Sequence, residues 1–101
     1  MDNSLFALIN RAGDASIEEL RARSGIAPVP FVNDLSDMLR RGLIDLSSED
    51  PSKNAYVVGI VMDLQEEKPE ALGKLEGLVA DPGEAEIVHV MPTKKGFRST
   101  F

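Results

Sequence analysis

Three glycines divide the first 42 residues of the chain into three amphipathic segments, and their spacing constrains the fold more than any other feature. Gly13, Gly25 and Gly42 each follow a stretch in which apolar residues recur at helical spacing. Glycine is favoured just beyond the last turn of a helix, because that position often adopts a left-handed conformation. We therefore predict three short helices, one ending before Gly13, one over residues 16–24 and one over residues 28–41.

The starts of the second and third helices carry matching signals. Ser16 and Glu19 have the spacing of a capping box, in which each side chain accepts a hydrogen bond from the other residue's free backbone N–H group. Pro28 suits the first turn of a helix, where its missing N–H is not needed. The third segment then presents one apolar stripe, made of Phe31, Val32, Leu35, Met38 and Leu39.

The second half of the chain favours strands and one more helix, so the predicted fold class is α+β. We expect a single domain over residues 1–101, with a three-helix half and its β-hairpin in 1–62 and an extension in 63–101. The predicted elements are a strand at 43–46, a loop at 47–54, a strand at 55–64 that pairs with the first as a hairpin, a helix at about 66–80, a turn at Asp81-Pro82-Gly83, a strand at 86–91 and a final strand at 97–101.

The charge balance limits the partners that the chain can bind. Seventeen Asp and Glu oppose eleven Lys and Arg, which gives a net charge of −6. Proteins that bind nucleic acid usually carry net positive charge, because contacts with phosphates supply most of their affinity. The chain has no cysteine, which excludes disulfides and thiol catalysis. No pattern of a signal peptide or membrane span is evident, so we expect a cytoplasmic protein without membrane contact.

Residues 16–46 resemble the helix-turn-helix of bacterial winged-helix regulators of the MarR and Lrp type. The residues that carry the resemblance are Ser16-Ile17-Glu18-Glu19-Leu20, Gly25-Ile26, Leu35, Leu39 and Arg41-Gly42-Leu43-Ile44. Two segments compete for the wing: Tyr56-Val57-Val58 is similar to a returning wing strand, and residues 90–97, with Pro92-Thr93-Lys94-Lys95-Gly96, are similar to a wing ending. The resemblance implies a winged-helix arrangement for residues 1–62.

In that family the outer side of the third helix enters the major groove of DNA. The corresponding side chains here are those of Val29, Pro30, Asn33, Asp34, Ser36 and Asp37, with Arg40 at the end of the helix. The two aspartates would repel phosphates, each at a cost of about 1 kcal/mol. If DNA were bound, Lys94, Lys95 and Arg98 would be the backbone contacts; the alternative is that these cations are ordinary solvated charges.

The same helix suits a protein partner better, because Val29 and Pro30 place apolar surface beside acids. The candidate interaction residues are Val29, Pro30, Asn33, Asp34, Asp37 and Arg40. Phe31 is either part of that surface or turned into the core. We therefore expect a non-enzymatic module that acts through protein–protein interaction, with a DNA-binding transcriptional regulator as the alternative.

The remaining candidate residues form no pattern that is typical of a catalytic or metal-binding site. A strand, helix and strand over residues 55–91 are similar to half of the ligand domain of the Lrp/AsnC regulators, so the extension either pairs two chains into a homodimer or simply completes the core. His89 is the chain's one histidine and lacks local partners. The acidic run at 63–70 is typical of a solvated helix start. We predict no catalytic, cofactor or metal-binding residues.

Overall fold

The computed structural model describes residues 4–94 as an α+β fold of six helices and a three-stranded antiparallel sheet. The elements in chain order are α1 (Ser4–Ala12), β1 (Ala15–Ser16), α2 (Ile17–Ser24), α3 (Pro28–Arg40), β2 (Ile44–Ser48), α4 (Pro51–Gln65), α5 (Glu70–Ala80), α6 (Pro82–Ile87) and β3 (Val88–Pro92). The predicted strand at 97–101 lies outside the described residues.

The three predicted N-terminal helices are confirmed, and the glycines end them as expected. Gly13, Gly25 and Gly42 have φ angles of 77°, 65° and 73°, in the left-handed region that residues with a Cβ rarely adopt. At the start of α2, the Ser16 hydroxyl accepts a hydrogen bond from the Glu19 backbone N–H at 3.1 Å. Local sequence signals therefore define both ends of α2.

The sheet has the order β1-β3-β2, so the last strand lies in the centre. Val90 of β3 is opposite Ala15 on one side and Leu46 on the other. The predicted strand at 43–46 is confirmed as β2, and the strand predicted at 86–91 begins later, at Val88. The two-residue strand β1 was not predicted, because so short a strand is defined only by its pairing with β3.

The predicted loop at 47–54 and strand at 55–64 are wrong, because this region forms α4. The Asp50 side chain caps the helix by accepting hydrogen bonds from the backbone N–H groups of Ser52 at 3.0 Å and Lys53 at 3.4 Å. With 55–64 helical, the predicted hairpin is also wrong, and β2 pairs instead with β3. The run of apolar residues resembled a buried strand because both faces of α4 carry apolar side chains, which hides the helical period.

The helix predicted at 66–80 is confirmed only from Glu70 onwards. Glu67 adopts a left-handed conformation, with φ at 60°, so the chain turns there before α5 begins. The predicted turn at 81–83 is the first turn of α6, where the Asp81 carboxylate accepts a hydrogen bond from the Gly83 N–H at 2.9 Å. An Asp-Pro-Gly sequence suits a helix start as well as a turn, because Asp caps and Pro fits the first position.

One hydrophobic core joins the predicted three-helix half to the rest of the chain. Leu20, Leu35 and Leu39 are fully buried, and Ile26, which is half-buried, packs against the same core. The same core includes side chains from every later element, among them Val57, Ile60, Leu75, Val79, Ala85, Val88 and Val90. Helices α4 and α5 both pack against α3, so they determine which parts of α3 remain open to solvent.

Candidate functional site

The predicted interaction residues lie along the outer side of α3, opposite its buried stripe. Pro30, Asn33, Asp34 and Arg40 are exposed, and Val29 is 71% exposed. Asp37 is half-buried.

Two expectations about α3 are settled by burial. The prediction that Ser36 lies on the exposed side is wrong. Its side chain is buried, with 7% exposure, and its hydroxyl donates to the Asn33 carbonyl oxygen at 2.9 Å. Phe31 is fully buried, which confirms that it turns inward. The exposed apolar surface at the start of α3 therefore belongs to Val29 and to the prolines on either side of it, Pro28 and Pro30.

The arginines at the end of α3 are engaged by one carboxylate. Asp37 Oδ1 lies 3.5 Å from Arg40 Nη2, and its Oδ2 lies 3.3 Å from Arg41 Nε. These pairs span one helical turn, where oppositely charged side chains stabilise a helix. Asp34 is exposed beside them. The outer side of α3 therefore combines two acids with two arginines, and these four side chains together carry no net charge.

A groove of about 370 Å³ lies between the second half of α3 and the turn that joins α4 to α5. Asn33 and Arg40 line one wall, and Glu67 and Lys68 line the other. The attraction of Glu66, and then that of Asp63, raises the pKa of Lys68; the three side chains form ion pairs of 3.4 and 3.5 Å. The Lys68 charge is thus offset by two carboxylates, and this groove offers little positive charge to a phosphate.

A second groove, of about 360 Å³, lies between the start of α3 and the end of α5. Its walls are mainly apolar and consist of Pro28, Val29, Val32, Val79 and Ala80, with Arg21 and Glu76 as the charged members. The sequence did not reveal this groove, because Val79 and Ala80 reach α3 only in the folded chain.

Arg21 forms the positively charged part of the second groove. Its Nη1 donates to the Val79 carbonyl oxygen at 3.1 Å, while its Nε is buried and has no hydrogen-bond partner among residues 4–94. Over the same range no acid forms an ion pair with it. The positive end of the α3 dipole lies nearby, at Pro28 and Val29. This end of the groove therefore favours a negatively charged group.

The predicted DNA-backbone contacts are only partly within the described residues. Lys94 is exposed just beyond β3. Lys95 and Arg98 lie outside the described residues. Elsewhere Arg23 pairs with Glu19 at 3.3 Å, so it is also offset by an acid.

His89 has a partner that the sequence did not reveal. Its Nδ1 lies 3.1 Å from Asp14 Oδ1, although 75 positions separate the two residues. No local pattern could identify Asp14, because the contact forms only when β3 pairs with β1. The side chains of His89 and Asp14 are 33% and 64% exposed. The pair therefore lies at the surface of the molecule, open to solvent.

Comparisons with known proteins found no matching family model, no matching curated protein and no matching solved structure. Within residues 4–94, no helix is both long and apolar enough to cross a membrane. In that same part of the chain, no three His, Cys, Asp or Glu side chains are grouped as a metal site would require.

Proposed function

We propose that this chain is a non-enzymatic winged-helix module that acts in the cytoplasm through protein–protein interaction. Three helices precede a pair of antiparallel strands, β2 and β3, as the resemblance implies. In this arrangement β3, whose last residues overlap the start of the wing-like segment 90–97, is the returning strand of the wing. Helices α4 to α6 then occupy the connection between the two wing strands.

The groove at the start of α3 is the observation that carries the proposal. It combines an apolar wall, where Val29 is 71% exposed, with the Arg21 guanidinium. Apolar centres with polar rims are typical of interaction surfaces. An aliphatic side chain of a partner would fill the groove against Val29 and Val79, and a neighbouring carboxylate would pair with Arg21. The partner that fits is thus a peptide segment with adjacent aliphatic and acidic residues.

Selection of peptides from a random display library tests this specificity. We expect the protein to enrich peptides that place an aliphatic residue next to an acid. Val29→Asp should weaken their binding roughly tenfold or more, because it removes apolar contact surface and its carboxylate competes with the acid of the peptide for Arg21. Ala7→Asp, which adds the same charge at an exposed position of α1, is the matched control and should leave binding unchanged. Enriched peptides that bind Val29→Asp as tightly as the original protein would refute the groove as the site.

A DNA-binding regulator that uses the helix at 28–41 is the second candidate. The wing-like pairing of β2 with β3 and the exposed Lys94 beyond it favour this function. Against it stand Asp34 and Asp37 on the side of α3 that would face phosphates. Since specific binding exceeds non-specific binding by about 4–10 kcal/mol, two repelled acids are a large handicap.

Titration with random-sequence duplex DNA at low salt separates the two functions. We expect no retention of the protein, because α3 offers no cation without a neighbouring acid. Retention that falls steeply with salt would instead show phosphate contact and support the regulator. In that event the Asp34→Asn, Asp37→Asn double variant should bind roughly 30-fold more tightly, given about 1 kcal/mol for each acid removed. An equal affinity would show that α3 does not face the DNA.

A further inference from the structure

Glu76 is the second charged residue of the groove between the start of α3 and the end of α5. Its side chain is exposed and lines the groove. It forms no ion pair with any other of residues 4–94, and Arg21 is likewise unpaired with an acid over that range. The groove therefore holds one positive and one negative charge that are not paired with each other.

The two helices that form the groove run antiparallel. The first groove joins the second half of α3 to the start of α5, at Leu72, whereas this one joins the start of α3 to the end of α5. Val29 is therefore level with Val79, and Val32 is level with Glu76. The apolar wall extends along the helices from the Val29 end to the Val32 end.

The two charges lie at opposite ends of that wall. Arg21 Nη1 is bound to the Val79 carbonyl oxygen at 3.1 Å, and helix carbonyls point toward the C-terminus. Glu76 precedes Val79 by three residues, which is about 4.5 Å along the helix axis. Its side chain leans further away, because Cα–Cβ bonds in a helix tilt toward the N-terminus. The carboxylate is therefore displaced from the guanidinium by about one helical turn along the groove.

A partner side chain that lies between these charges has a different neighbour on each side. An acid fits the end at Arg21, and a base fits the end at Glu76. A purely acidic segment would bring a second carboxylate toward Glu76, and it would approach a chain whose net charge is −6. Like charges brought together in this way suppress wrong partners, and opposite charges speed the encounter. The groove thus favours a segment in which an aliphatic side chain separates an acid from a base.

We propose that Glu76 determines the second half of the specificity of this groove by binding a basic side chain of the partner. The partner then places its acid at Arg21, its aliphatic side chain against Val29 and Val79, and its base at Glu76. This inference rests on the proposed function, because it requires that a peptide occupy the groove. Since Glu76 is exposed, its contact contributes to selectivity more than to affinity.

Two display libraries test this role, one with a fixed Glu-Leu pair and one with a fixed Leu-Glu pair, each with random flanking residues. The two libraries cover both directions of the peptide chain. We expect the original protein to enrich Lys or Arg beyond the leucine, and Glu76→Lys to enrich acids there instead. Synthetic peptides with Lys or Glu at that position then measure the preference. The original protein should favour the Lys peptide roughly tenfold, and Glu76→Lys should reverse this preference, because an attraction and a repulsion exchange places.

Two further variants serve as controls. Glu76→Gln keeps the shape of the side chain without its charge, so it should bind both peptides about equally. Glu86→Lys makes the same charge change at an exposed position of α6, and it should keep the preference for the Lys peptide. An unchanged preference in Glu76→Lys, with binding still lost in Val29→Asp, would refute the role of Glu76 and leave the peptide groove standing. Failure of the original protein to enrich any peptide would refute both.

Discussion

Replacing Phe31 by Ala is expected to lower the free energy of unfolding by about 3–5 kcal/mol. The Phe31 side chain is fully buried in the core. Its removal loses the transfer free energy of the ring and leaves a cavity that the surrounding helices fill only in part. Domains of this size have a total stability of about 5–15 kcal/mol, so the loss is a large part of it. Urea denaturation followed by circular dichroism measures the change.

Val29→Ala is the matched control for Phe31→Ala. Val29 lies two residues earlier on the same helix and is 71% exposed. Its truncation should change the free energy of unfolding by no more than about 0.5 kcal/mol. If Val29→Ala cost more than Phe31→Ala, α3 would be turned the other way about its axis. The groove with Arg21 would then not exist as described, and the proposed peptide site would fail with it.

Val58→Pro is expected to destabilise the protein by about 3 kcal/mol or more. Val58 lies in the middle of α4, where proline removes a backbone hydrogen bond and its ring collides with the preceding turn. Since α4 packs on β2, α3 and α5, loss of its helical form would loosen the core on that side. The loss should appear as a lower denaturation midpoint, together with lower helical circular dichroism.

Val58→Ala separates a helix from the strand that the sequence predicted at 55–64. Val58 is 41% exposed, so backbone preference contributes strongly to the effect. In a helix alanine is favoured over valine by a few tenths of a kcal/mol, so stability should hold or rise slightly. In a strand the order is reversed, and stability should fall. A clear loss would argue for an extended segment.

The first three helices and β2 were predictable because their limits depend on neighbouring residues. Ser16, Gly25 and Gly42 act through hydrogen bonds and backbone angles within a few positions of themselves. Such signals do not depend on how the rest of the chain folds. The same helical period predicted which residues of α3 lie on its outer side. Ser36 is the exception, because the neighbouring elements bury it.

The elements that were missed depend on distant parts of the chain or on an unusual pattern. Strand β1 exists only because Ala15 and Ser16 pair with β3. Helix α4 carries apolar residues on more than one side, so Val57 and Val58 resemble part of a strand although the first is buried and the second is exposed on one helix. The contact of His89 with Asp14 and the groove at Arg21 both require the complete fold. The residue types alone therefore indicated a surface on α3 but not its apolar groove.

The pairing of Ser48 with Val88 closes the base of the excursion formed by α4, α5 and α6. The chain thus leaves the sheet and returns to it at one rung of the β2–β3 ladder. A helical insertion anchored in this way resembles a domain inserted into a hairpin, since the residues where the chain leaves and rejoins the sheet lie side by side. Gain or loss of residues at its far turns, near Glu67 and Asp81, would change the excursion without shifting the strand register. The scaffold that holds α3 is therefore free to diversify in this part of the chain while its strands keep their pairing.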